Sequence, residues 1–104
     1  MNAIRAALSL LFAVSGAAKL FGHSAVRKNF RRWGHPDPLM YFIGACEAAG
    51  AAALWLPRLE LPAALGLTLL MFGALGTHLK AKDGPAQWLP AVVALGLLSA
   101  LLIR

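Results

Sequence analysis

Four long runs of apolar residues constrain the fold of this chain more than any other feature. They cover residues 3–21, 39–56, 61–79 and 86–103, and each is close to the roughly 20 residues that a helix needs to cross a lipid bilayer. Helices are expected because backbone N–H and C=O groups cannot remain unpaired in hydrocarbon. The pattern predicts an all-α, polytopic membrane protein in which residues 1–104 form one domain, a compact bundle of four transmembrane helices.

Composition excludes several classes of function. The chain is 60% hydrophobic and 13% charged, against about a quarter charged in a soluble domain, and four spans leave no room for a soluble catalytic domain. A single cysteine, Cys46, excludes an internal disulfide and a CxxC redox pair. The histidines His23, His35 and His78 are not spaced as a helical metal pair. We therefore predict no metal site, assign no catalytic residue, and expect no catalytic activity of the chain on its own.

The segment between the first two runs, residues 22–34, is too polar to insert into a membrane. Val26, Phe30 and Trp33 fall at positions i, i+4 and i+7, while the basic residues point elsewhere. This spacing predicts a short amphipathic helix in the membrane interface, with its apolar face down. Two interpretations remain open: an anchor that only sets orientation, or a docking site for lipid headgroups or a partner protein. The residues of that docking site would be Arg27, Lys28, Arg31, Arg32 and Trp33.

Basic residues are distributed unevenly about the four runs. The formal net charge is +6, which in so apolar a chain indicates orientation in a membrane and not nucleic-acid binding. One side would carry Lys19, Arg27, Lys28, Arg31, Arg32, Lys80 and Lys82, and the other Arg5, Arg58 and Arg104. The positive-inside rule then predicts that the two strongly basic connections are cytoplasmic and that both termini lie outside.

Glu47 is the one acidic residue deep within a predicted span. A charge at that depth is costly unless a cation or several hydrogen-bond donors reach it. Lys19 and His78 lie at nearby depth in the first and third spans, so the three residues predict a polar pocket that binds a small amphiphile or passes a proton. Alternatives remain for each: Lys19 could snorkel to the surface, His78 could be an interface residue, and Glu47 could serve only as an interhelical bond.

Small residues at helical spacing predict where the spans pack closely. Such residues let helix backbones approach each other in a membrane. The ridges are Ser9, Ala13 and Gly16 on the first span, Gly44, Ala48 and Ala52 on the second, and Gly66 and Gly73 on the third. Ridges left facing lipid would also permit a homo-oligomer.

Three loose motifs occur in a fixed order along the chain. They are G-x-x-K-L at residues 16–20, G-x-x-E-x-x-G at residues 44–50 and M-x6-H at residues 71–78, with a basic segment ending in Trp-Gly-His-Pro between the first two. In this order the sequence resembles the DoxX-like family of small membrane proteins over almost its whole length. The resemblance implies a four-helix bundle in the bacterial cytoplasmic membrane, with Lys19, Glu47 and His78 as the motif residues. The family's association with quinone-linked respiratory oxidation implies a quinone-like or lipid-like ligand and a redox protein partner.

Three functions follow as hypotheses. The first is an accessory membrane subunit, without catalysis of its own, that binds a quinone-like or lipid-like amphiphile beside Glu47 and associates with membrane lipids and redox partners. The second is a small proton-coupled transporter that uses Glu47, although the known small exporters carry their glutamate in the first span. The third is a structural or assembly subunit in which Glu47 only joins helices.

Overall fold

The computed structural model describes residues 2–103, and within that range every regular element is an α-helix. The prediction of an all-α fold is therefore confirmed. The helices are α1 (Asn2–Leu20), α2 (Ser24–Arg32), α3 (Asp37–Ala53), α4 (Glu60–Lys80) and α5 (Pro85–Leu102).

The four long helices form a closed ring. α1 packs against α3 and α5, and α4 packs against the same two helices, while the short α2 lies against α1 and α3. The buried core includes Leu8, Phe12, Leu54, Leu67 and Leu98. Since consecutive long helices are neighbours and the connections are short, the ring is an up-and-down bundle.

Three helices, α1, α4 and α5, are long and apolar enough to cross a membrane. The second predicted span is not among them. Its helix, α3, has 17 residues and includes both Asp37 and Glu47, and at the α-helical rise it measures about 25 Å. The structure thus supports three spans by length and composition, and the prediction of four is not confirmed.

The second span, predicted to reach residue 56, ends earlier than expected. After Ala53 the chain tightens into turns in which the Trp55 amide donates to the Ala52 carbonyl at 3.2 Å and the Leu56 amide to the Ala53 carbonyl at 3.0 Å. The cause is Pro57, which has no N–H to bond to the Ala53 carbonyl and whose ring would clash with that carbonyl in a continued helix. The other three spans begin and end within one residue of their predicted bounds.

Two glycines in the left-handed conformation place α2 across one end of the ring. Gly22 has φ 66° just after α1, and Gly34 has φ 81° just after α2. At each site the following amide bonds back five residues, from His23 to Ala18 and from His35 to Phe30, which is the Schellman arrangement that ends helices. The chain therefore reverses direction twice within a short stretch.

The small residues of α1 and α3 pack as predicted. A Cβ added to Gly16 would lie 2.7 Å from the Gly44 carbonyl oxygen and 2.8 Å from the Ala48 amide nitrogen, so the two backbones are in direct contact. The ridge predicted on the third span is wrong. A Cβ at Gly66 or Gly73 would have no neighbour within 4 Å, because these glycines border an open space between α3 and α4.

Candidate functional site

That open space is a cavity of about 860 Å³, lined mainly by α3 and α4 and covered at one end by α2. Its volume falls within the roughly 300–1,000 Å³ of small-molecule sites. Along α4 it extends from Pro62 to His78, a distance of about 24 Å at the helical rise. Its shape therefore suits an elongated molecule.

The cavity is apolar over most of its length and polar at the end near α2. The apolar lining includes Ile43, Ala53, Leu59, Pro62, Leu67, Leu70 and Met71. The polar lining consists of Lys19, Asn29, Glu47, Thr77 and the imidazoles of His35 and His78. A molecule that filled the whole space would need one polar end and one apolar end.

The cavity remains open because the facing helices carry very small side chains. Ala49 lines it from α3, and Gly66, Gly73 and Ala74 line it from α4. None of these can reach across the gap. The same residue types that bring α1 and α3 into contact thus leave a space between α3 and α4.

Glu47 and Lys19 form an ion pair at the polar end. The Lys19 Nζ lies 2.7 Å from Glu47 Oε1, and the Glu47 side chain is 2% exposed. Ser15 joins the pair: its hydroxyl accepts from Lys19 Nζ at 2.6 Å and lies 3.2 Å from both Glu47 oxygens, to which it can donate. Such pairing offsets the large cost of removing a carboxylate from water.

The helix geometry of α1 explains how Lys19 reaches Glu47. Side chains on a helix lean toward its N-terminus, and for a residue in the last turn of α1 that direction is into the bundle. The residue opposite is Gly44, so the Lys19 stem can lie directly against α3. Lys19 therefore points inward to Glu47 and does not snorkel outward.

Ser15 was not predicted as a site residue. Its position four residues before Lys19 places both on one face of α1, and this spacing was the available signal. A hydroxyl at that position matters because it supplies Glu47 with a second hydrogen-bond donor.

His78 lines the same cavity but contacts a different carboxylate. Its Nδ1 lies 2.8 Å from Asp83 Oδ2, whereas the predicted pocket placed it with Lys19 and Glu47. All three predicted residues thus face one space, and of the three only Lys19 and Glu47 are paired directly.

Asp83, which was not predicted as a site residue, is the centre of a second polar cluster. Its carboxylate accepts from Arg32 Nη1 at 2.8 Å and from Trp33 Nε1 at 3.2 Å, in addition to its contact with His78. The hydrogen bond from Arg32, followed by that from His78, lowers the pKa of Asp83 to about 2. The cluster ties α2 to the loop between α4 and α5.

The position of Asp83 follows from the way α4 ends. Lys82 has φ 59°, and the Asp83 amide bonds back to the His78 carbonyl at 2.9 Å. This is again a Schellman ending, here with a lysine where glycine is usual. It brings the Asp83 side chain beside the last turn of α4.

The predicted amphipathic helix is present as α2, but its apolar face is directed differently from the prediction. Val26, Phe30 and Trp33 line the cavity, and Phe30 is 5% exposed. The Trp33 and His78 rings meet edge to face with centroids 5.0 Å apart. The apolar face of α2 therefore packs on the bundle and covers the polar end of the cavity.

The basic residues predicted as a docking site lie partly in internal contacts. Arg27 donates to the Tyr41 hydroxyl at 2.8 Å, and Arg31 donates to Asp37 at 3.0 Å. Lys28 is exposed. Most of this surface thus holds α2 in place, whatever else it binds.

A separate group of polar residues connects helices at the opposite end of the bundle. Arg5 forms an ion pair with Glu60, and its guanidinium lies 5.5 Å from the centre of the Trp55 ring. The Trp55 indole donates to the Ser9 hydroxyl at 2.7 Å. These contacts join α1 to the connection between α3 and α4.

A family model described as DoxX-like matches residues 3–101, nearly the whole chain. The chain belongs to the DoxX-like family. No solved structure gives a significant match. Membership in the DoxX-like family, together with three long apolar helices, indicates a membrane protein. Two of the three motifs noted in the sequence, G-x-x-K-L and G-x-x-E-x-x-G, contain the residues of the buried ion pair.

Proposed function

We propose that this DoxX-like protein is a four-span membrane protein that binds one amphiphile in the cavity between α3 and α4. The polar end of the ligand lies beside Lys19 and Glu47, and its apolar body extends toward Leu59. The observation that carries this proposal is an elongated, largely apolar cavity that ends at a buried ion pair. A quinone-like or lipid-like molecule has this division into polar and apolar parts.

In this proposal α3 is the fourth span, although it is shorter than the others. It packs between α1 and α4, both of which are long enough to cross the bilayer. The turns that follow Ala53 extend the apolar segment beyond the helix itself. Pairing with Lys19 offsets the cost of placing Glu47 at this depth.

The proposed location of the protein is the bacterial cytoplasmic membrane, with both termini on the outer side. Arg32 and Asp83 join the first and third connections at one end of the bundle, so the seven basic residues of the predicted cytoplasmic side share that end. The positive-inside rule supports this orientation.

The ligand enters from the lipid, through the gap between α3 and α4. Ala49, Gly66, Leu69 and Gly73 line the cavity and are exposed. An amphiphile dissolved in the bilayer could pass between these residues without crossing water. The proposal thus places the supply of ligand in the membrane itself.

A redox protein or the lipid headgroups would meet the protein at the α2 end. Lys28, Lys80 and Lys82 are exposed there, and their charges favour an anionic surface. In this view the DoxX-like chain is an accessory subunit, and any electron transfer is performed by the partner.

The test is whether the purified protein retains an amphiphile. Native mass spectrometry of the detergent-extracted chain is expected to show one bound lipid-soluble molecule, which is lost or strongly reduced in Glu47→Gln. Glu60→Gln is the matched control, because it alters an ion pair outside the cavity. Absence of any bound molecule from the wild type, or equal retention of the same molecule in Glu47→Gln, would contradict the proposal.

A further inference from the structure

The formal charges that line the cavity cancel. Among the described residues that line it, Lys19 and Glu47 are the sole members of the Lys, Arg, Asp and Glu types, and their charged atoms lie 2.7 Å apart. The Asp83 carboxylate behind His78 is likewise matched by Arg32 at 2.8 Å. A ligand in this cavity therefore meets two opposite charges that already satisfy each other.

A charged ligand would disturb this balance. Its charge would lose hydration on entering an apolar cavity, and no surplus charge of opposite sign awaits it there. A carboxylate would have to compete with Glu47 for Lys19, and an ammonium would have to compete with Lys19 for Glu47. An uncharged polar group avoids both costs.

Hydrogen-bonding capacity remains at the pair for such a group. An ammonium has three N–H donors, and within residues 2–103 Lys19 directs its ammonium to Ser15 and Glu47. Glu47 Oε2 lies 3.2 Å from the Ser15 hydroxyl, whereas Oε1 also accepts from the Lys19 ammonium. One lysine donor is thus available to an acceptor oxygen of the head group, and one lone pair on Oε2 is available to an O–H donor where the head group has one.

We infer that the cavity selects amphiphiles whose head group is uncharged and carries a hydroxyl or carbonyl oxygen, and that the Lys19–Glu47 pair discriminates against fatty acids and alkylamines. This inference rests on the proposed function, since it specifies the ligand class of the same cavity.

The experiment uses Cys46, the one cysteine of the chain, which lines the cavity next to Glu47. Its alkylation by N-ethylmaleimide is measured in bilayer nanodiscs of a zwitterionic lipid. The competitors are an alcohol, a carboxylate and a primary amine that share one straight alkyl tail, at about pH 8, where the last two are charged. The alcohol is expected to protect Cys46 at concentrations at least about tenfold lower than either charged probe.

Two variants test the discrimination separately from occupancy. Glu47→Gln leaves Lys19 without its counter-charge, so the carboxylate should become the best protector. Lys19→Gln leaves Glu47, so the amine should become the best protector. The Lys19→Gln, Glu47→Gln double variant restores neutrality and should again prefer the alcohol. If the pair only stabilises the fold, the best-protecting probe should not change in opposite directions in the two single variants.

The outcomes separate the two proposals. Protection of wild-type Cys46 by either charged probe as well as by the alcohol would overturn the inference and leave the binding function intact. Protection by none of the three would refute the binding function itself. If a single variant fails to fold, the ranking of probes on the wild type still decides the inference.

Discussion

Gly16 on α1 lies against the backbone of Gly44 on α3. A Cβ added to Gly16 would lie 2.7 Å from the Gly44 carbonyl oxygen, and a Cβ added to Gly44 would lie 2.7 Å from the Lys19 Cβ. This contact sets the distance between the two helices at the level of the polar site. Lys19 and Glu47 can meet only because no side chain stands between α1 and α3 there.

Gly16→Ala should therefore destabilise the protein and loosen the ion pair. The new methyl group would meet backbone atoms of Gly44 and Ala48 that cannot rotate away, and overpacking of this kind costs about 1–3 kcal/mol. Thermal unfolding of the purified protein should show a lower Tm. Gly96→Ala is the control, because its Cβ has no neighbour within 4 Å, and an equal fall in Tm for both variants would contradict this account.

The Lys19–Glu47 pair should show strong energetic coupling. Removal of either partner leaves a buried charge unpaired, which costs about 3–5 kcal/mol in folded proteins, whereas Lys19→Met combined with Glu47→Gln removes both charges. The double variant should be more stable than either single one, and a thermodynamic cycle measured by unfolding checks it. Additive losses of unfolding free energy in the double variant would show that the two charges do not stabilise each other.

Acid should release α2 from the end of the cavity. The pKa of Asp83 is lowered from 3.8 to about 2 in the folded protein, so its stabilising contribution is complete above pH 3.8 and is lost as the pH falls through about 2. Trp33 fluorescence, measured with Trp55 and Trp88 replaced by phenylalanine, should change in that range. In Asp83→Asn the change should be absent, and a transition of the same size there would assign it to another group.

Filling the cavity should block binding without disturbing the helix. Gly73→Leu places a large side chain into the space between α3 and α4, and it should abolish both ligand retention and the protection of Cys46. Gly76→Leu is matched, since Gly76 is also exposed on α4 with no neighbour within 4 Å but does not line the cavity. Unchanged binding in Gly73→Leu would mean that the ligand lies elsewhere.

Much of the fold was predictable because apolar run length and glycine or proline boundaries act locally. Gly22 and Gly34 end helices as their backbone freedom indicates, and three of the four long helices match their predicted bounds within one residue. The residue at which α3 ends was harder to predict from the sequence. Pro57 acts on the carbonyl four residues before it, so the helix ends about one turn before the proline and not at the end of the apolar run.

The candidate site was predictable only in part. Depth in the membrane singled out Lys19 and Glu47, since a charge there requires a partner. The direction in which a glycine faces was not readable from spacing, so Gly73 was expected to pack and instead borders the cavity. Asp83 was overlooked because its partners, Arg32 and Trp33, are 51 and 50 residues away in the sequence.

Every acidic residue of this chain is matched by a basic one: Glu47 by Lys19, Asp37 by Arg31, Asp83 by Arg32, and Glu60 by Arg5. The excess positive charge is therefore borne by side chains such as Lys28, Lys80 and Lys82, clustered where α2 lies. The end of the molecule where α2 lies therefore carries the larger share of the excess positive charge, and it attracts anions over about 10 Å of salt solution more strongly than the opposite end, where Arg58 is also in excess.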